Sequence, residues 1–159
     1  MRKIIYLLSA IVALASCSKP ASGPDKEISL AEHLMESNAD SALAILEAID
    51  PSDLKTDSLK AKFHYLKAFG HMKANRSMVG DSLIYKAHNY YRGKDIVNDM
   101  RSGTALAFYK FWVGDTRASI AILDSLTRLP DVPDSLMAEI LRIRVLLGAS
   151  EYQGRQIIP

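Results

Sequence analysis

The chain aligns with itself at an offset of 77 positions. Ala42-Leu43-Ala44-Ile45-Leu46-Glu47-Ala48-Ile49 falls on Ser119-Ile120-Ala121-Ile122-Leu123-Asp124-Ser125-Leu126, and Asp57-Ser58-Leu59-Lys60-Ala61 falls without a gap on Asp134-Ser135-Leu136-Met137-Ala138. A repeat restricts the available folds more than composition does, because each unit must bury its apolar face against a neighbouring copy. The offset is about twice 38.5. One further unit therefore lies between the two, and Asp81-Ser82-Leu83-Ile84 supplies it, echoing Asp40-Ser41-Ala42-Leu43.

Each unit carries two helical patterns. Asp40 is placed to cap a helix with Leu43, Leu46 and Ile49 on one face, stopped by Pro51. Thr56-Asp57 opens the next, which runs to about Asn75 with Leu59, Phe63, Leu66, Ala68 and Phe69 facing inward. Further helices are expected from Asp81 to Tyr91, from Asp95 to Val113, from Asp115 to Pro130, and from Asp134 to about Gly148. A shorter first helix covers Ile28 to Ser37. No segment alternates with period two for long enough to form a strand, so the fold class is all-α.

At Leu106-Ala107, Gly114-Asp115, Ser119, Leu123 and Leu126 the spacing resembles the tetratricopeptide repeat. Gly103, Lys110 and Leu126 depart from the residues common there, and Pro130 lies one position from the repeat's terminal proline. The resemblance spans Ile28 to about Ala149. It implies a helical-hairpin solenoid of about three pairs plus one unpaired C-terminal helix, acting as a protein- or peptide-binding scaffold.

The start of the chain reads differently. Arg2 and Lys3 precede a run from Ile4 to Ala15 that is apolar except for Ser9. That is too short for a spanning helix, which needs about 20 residues, and fits the core of a signal peptide. Leu14-Ala15-Ser16-Cys17 then resembles the lipobox of bacterial lipoproteins. The resemblance implies that residues 1–16 are removed and that Cys17, the only cysteine, becomes an acylated N-terminus anchored in a membrane. The alternative is ordinary cleavage at Ala13-Leu14-Ala15, leaving a free thiol. Residues 17–27 hold two prolines and Gly23 and read as a flexible tether, followed by a repeat domain over 28–150 and a tail over 151–159. Ser18 stands where inner-membrane retention commonly uses aspartate, and Ser18-Lys19-Pro20 lacks an acidic surface-export signal. By resemblance the address is the outer membrane, facing the periplasm. The Asp-Ser-Leu helix starts are similar to those of repeat-containing lipoproteins of the Bacteroidetes.

Removing Arg2 and Lys3 leaves 18 basic against 18 acidic side chains. A formally neutral domain argues against nucleic acid as a partner. Gly80-Asp81-Ser82-Leu83 spells the nucleophile block of GDSL esterases, but no strand pattern precedes it and no histidine follows an aspartate at the required spacing. A helix cap is the expected role, and no enzyme activity is expected. His64 and His71 lie seven apart with Lys60 and Lys67 on the same face, a pattern unsuited to zinc, so neither metal nor cofactor is expected. The same stripe, joined by Arg101 and Lys110, would instead line a basic concave face for an acidic peptide or a carboxylate-bearing ligand. Phe108, Tyr109, Phe111 and Trp112 are expected to be core, with a glycan platform as the alternative function. The last helix carries apolar residues around much of its girth and lacks a polar capping partner. Its free side would be a dimer or partner interface, would be covered by the tail, or would mark a piece of a longer repeat protein.

Overall fold

The computed structural model describes the chain from Gly23 to Gln156, and among the described residues the secondary structure is entirely helical. Helix α1 spans Pro24–Leu34, α2 Ala39–Glu47, α3 Asp57–Lys73, α4 Ile84–Tyr91, α5 Ile96–Trp112, α6 Thr116–Leu126 and α7 Asp134–Gln156. A single 3₁₀ turn, Pro51–Asp53, links α2 to α3. No helix of the described residues is long and apolar enough to cross a membrane. Cys17, the signal segment 1–16 and the last residues of the tail lie outside the described residues.

The repeat is visible in the element starts. α2 opens at Ala39 and α6 at Thr116, 77 positions on, and α3 and α7 at Asp57 and Asp134 keep the same offset. α3 and α5 are both 17 residues long. Both end with a residue in the left-handed region, Asn75 at φ 51° and Gly114 at φ 86°. In each case the amide one residue further on donates back across the turn, Arg76 to the His71 carbonyl and Asp115 to the Lys110 carbonyl, both at 2.8 Å. This arrangement satisfies carbonyls that the helix end would otherwise leave unpaired.

Side-chain caps set most of the starts. Asn38, Thr56, Asp95 and Asp115 accept from backbone amides in the first turns of α2, α3, α5 and α6. Several expected boundaries shift. Asp40 is not the cap of α2; it lies inside the helix and pairs with Arg76. α1 begins at Pro24, so the last residues of the expected tether are helical, because proline's fixed φ suits a first helical position. α7 continues to Gln156, through Gly148 and into the expected tail. α4 starts at Ile84 rather than Asp81, and no side chain caps it.

Consecutive helices pack against one another, and α1, α3, α5 and α7 also touch in sequence, forming a continuous row of first helices. One core unites α1 to α5 around Ile28, Leu46, Leu66, Phe69 and Ile84. A second joins α5, α6 and α7 around Met100, Leu123, Ile140 and Ile143. Phe108 and Ile122 pack against both. Two glycines set close approaches between layers. A Cβ at Gly70 would meet the Leu43 side chain at 2.8 Å, and one at Gly103 would meet Leu126 at 2.8 Å and His88 at 3.1 Å. The second explains why glycine stands at position 103: α5 is clasped there between α4 and α6. On α7, Ile140, Ile143 and Leu147 are buried, whereas Leu141, Val145 and Leu146 are exposed.

Candidate functional site

The side chains of α3 divide between two sides of the molecule. On the row of first helices, Lys62 pairs with Glu32 of α1 at 2.6 Å. Lys73 reaches Glu36 at 2.9 Å and Glu139 of α7 at 3.8 Å, and Arg101 of α5 reaches Glu36 at 3.9 Å. The cations on this side are matched by carboxylates.

The other side differs. Lys60 and His64 line a groove of about 520 Å³ with Leu83, Lys86, Asn89 and Tyr90 of the α4 region. His64 also lines an adjoining hollow of about 180 Å³ with Lys67, Phe63 and Pro51, and the two share Leu83. Burial lowers the His64 pKa, and the positive charges of Lys67 and Lys86 lower it further, against a weaker pull from Asp81. The lining carboxylates are Asp57, which is exposed and 3.9 Å from Lys60, and Asp81, which is buried and already engaged. The accessible lysines of this groove are therefore only partly neutralised.

His71 continues the stripe but is tied down. Its Nδ1 lies 2.7 Å from Asp81 Oδ2 and its Nε2 3.8 Å from Glu47 Oε1. Asp81 is thus a buried partner for His71 and not a helix cap, which accounts for the late, uncapped start of α4. Ser82 follows it in an exposed turn, with no strand before it. The GDSL-like string therefore lacks the strand-to-helix setting of that nucleophile, and the cap expected in its place is absent too.

The six residues expected on one basic face do not come together. Lys60 and His64 line the groove, Lys67 lines the adjoining hollow, and His71 lines neither but bonds Asp81, which faces that hollow. Arg101 and Lys110 are nine positions apart on one helix, which turns them roughly 180° away from each other. Arg101 joins the acid-matched side at Glu36. Lys110 pairs with Asp115 at 3.3 Å and sits 5.1 Å over the Tyr85 ring. Lys86, which the sequence pattern did not single out, takes their place. The only signal for it was its position on the exposed face of α4.

A second cleft, of about 580 Å³, lies on the far flank of α4, where Leu106, Ile122, Leu126 and Leu129 form an apolar wall and Asn89 and Arg92 the rim. At its base Asp99 is 2% exposed; its Oδ2 accepts from the Gly93 amide at 2.9 Å. Its Oδ1 has no hydrogen bond but lies 3.5 Å from His88 Nδ1, which is 3.3 Å from Ser102 Oγ. Burial lowers the His88 pKa, the Asp99 charge opposes that, and Arg92 adds to the lowering. Of the expected aromatic core, Phe108 and Phe111 pack inward. Tyr109 stacks edge-on against Tyr85 at 5.8 Å, while Trp112 is 38% exposed.

Residues 1–18 match the family model described as the prokaryotic membrane lipoprotein lipid attachment site. This is a lipid-anchored protein of the cell envelope. No match to a curated protein or to a solved structure was found. The lipoprotein is held in the membrane by acylated Cys17, and its helices stand beyond that anchor. Several acyl chains hold such a protein firmly, because each buried methylene adds ~0.8 kcal/mol of membrane affinity.

Proposed function

We propose that the lipoprotein is a non-enzymatic scaffold that binds a protein partner carrying an acidic segment. In this reading it belongs with the tetratricopeptide-like repeat lipoproteins of the Bacteroidetes type, and it faces the periplasm from the outer membrane. The paired helices, the 77-residue register and the contacts between alternate helices support a solenoid of three hairpins with α7 as an additional first helix.

One observation carries the binding reading: Lys60, His64 and Lys86 line one groove, with Lys67 in the hollow that adjoins it at His64, while on the opposite side Lys62, Lys73 and Arg101 are each met by carboxylates. Exposed ion pairs contribute little to stability, typically ~0–1 kcal/mol. Partly neutralised lysines gathered in a groove contribute no more, and they suit the steering and registration of an oppositely charged partner.

The test is chemical crosslinking and pull-down from membranes, comparing the native chain, an anchorless Cys17→Ala chain and a Lys60→Glu/Lys86→Glu chain. The expected result is a defined crosslinked partner that needs both the anchor and the lysines. A crosslinking pattern indifferent to the charge reversal would overturn the groove assignment.

A further inference from the structure

The basic groove and the apolar cleft lie on opposite flanks of one short helix. α4 has eight residues, and Asn89 on its outer face lines both spaces. Lys86 and Tyr90 look toward the groove over α3, while Tyr85 and Arg92 look toward the cleft over α5 and α6. The two volumes are of similar size but differ in charge, the groove adding Lys60 and Lys86 to Ala61, Leu83, Ala87 and Tyr90. One presents lysines; the other presents Leu106, Ile122, Leu126 and Leu129. Each falls within the ~300–1,000 Å³ common for ligand sites.

We infer that the two form a single composite site for an extended polypeptide that crosses α4 over Asn89, with acidic residues against Lys60 and Lys86 and one large apolar side chain seated in the cleft. This inference rests on the acidic-partner reading above and adds the anchor and its spacing. A small anion would meet lysines only in the groove, and no small molecule would span both spaces across α4. A polypeptide has both chemistries on one chain and the reach to use them together. Arg92 carries positive charge at the rim of the cleft, so an acidic residue on that side of the anchor is accommodated too; Lys110 beyond Tyr85 is already paired with Asp115. Asp99 does not oppose this, because its carboxylate is buried at the base and faces the Gly93 amide and His88.

The geometry sets a spacing. A helix with its side chains is about 10 Å across, and an extended chain rises about 3.3 Å per residue. The apolar anchor therefore stands about three residues from the nearest acidic contact.

The probes are short fluorescein-labelled peptides in a Gly/Ser background, carrying an acidic triplet and one leucine whose separation is stepped residue by residue. Binding to the full acylated chain in phosphatidylcholine nanodiscs is read by anisotropy. The expected result is a maximum near the predicted spacing, about tenfold tighter than the acidic triplet alone, from burial of one leucine side chain. Ser125 is exposed at the cleft and its hydroxyl bonds only its own helix. Ser125→Trp should fill the cleft and remove the leucine advantage while leaving the acidic triplet's binding unchanged; circular dichroism checks that the helices persist. Lys60→Glu/Lys86→Glu should weaken every acidic probe. If acidic probes bind through the lysines but leucine position makes no difference, or Ser125→Trp leaves the advantage intact, the composite site is overturned and the groove reading stands. If no acidic probe binds, both fall.

Discussion

At the residue scale, the polar side chains in the interior decide more than the surface charges. Asp81 shows this. By sequence it is one more helix-capping aspartate, but in space it is 8% exposed and bonded to His71. No pattern along the chain reveals that pairing, since the partner lies ten residues back on another element. His88 is the second case. It is buried beside Asp99, with Arg92 and Ser102 the other polar groups near its ring. Its folded-state pKa lies below the ordinary value of 6.5, chiefly through burial. The unfolded chain therefore binds the proton more readily than the folded one. The resulting stability is fully present above about pH 6.5 and is lost as pH falls below that value toward the folded-state pKa. His64 acts in the same direction. Denaturation measured from about pH 7.5 down to about 5.5 should show falling stability, and His88→Gln should flatten the slope. An unchanged slope in that variant would contradict the assignment.

At the element scale, the caps separate what the sequence shows from what it hides. The starts of α3, α5 and α6 were readable because Thr56, Asp95 and Asp115 stand immediately before apolar periodicity. The cap of α2 lies at Asn38, two residues before the expected Asp40, because both are good caps and only the geometry chooses between them. Thermal denaturation can test the choice. Asn38 Oδ1 accepts from the Ser41 amide at 3.0 Å, so Asn38→Ala should cost about 1 kcal/mol. Asp40 makes only an exposed ion pair with Arg76, so Asp40→Ala should stay within about 0.5 kcal/mol. Equal losses would place the cap of α2 at Asp40 after all. The division of α3 into two faces was half legible. The stripe Lys60-His64-Lys67-His71 follows helical spacing and stays together, but adding Arg101 and Lys110 required knowing which way α5 is turned.

At the scale of the whole molecule, the anchor limits how far the helices stand from the membrane. Seven positions separate Cys17 from Pro24, where α1 begins. Fully extended, that length reaches about 25 Å. The helices are held near the bilayer surface, where a partner confined to the same membrane is met at high effective concentration. The repeat made the helical layout legible from sequence, whereas the clefts depend on α4 being short and on the spaces it leaves on either flank. The most direct measurement is site-specific photocrosslinking in intact cells, with a benzoylphenylalanine placed at Asn89, between groove and cleft, and separately at Lys62, on the acid-matched side. Position 89 should yield a discrete crosslinked envelope protein and position 62 none. Crosslinking from position 62 with none from position 89 would contradict the groove assignment.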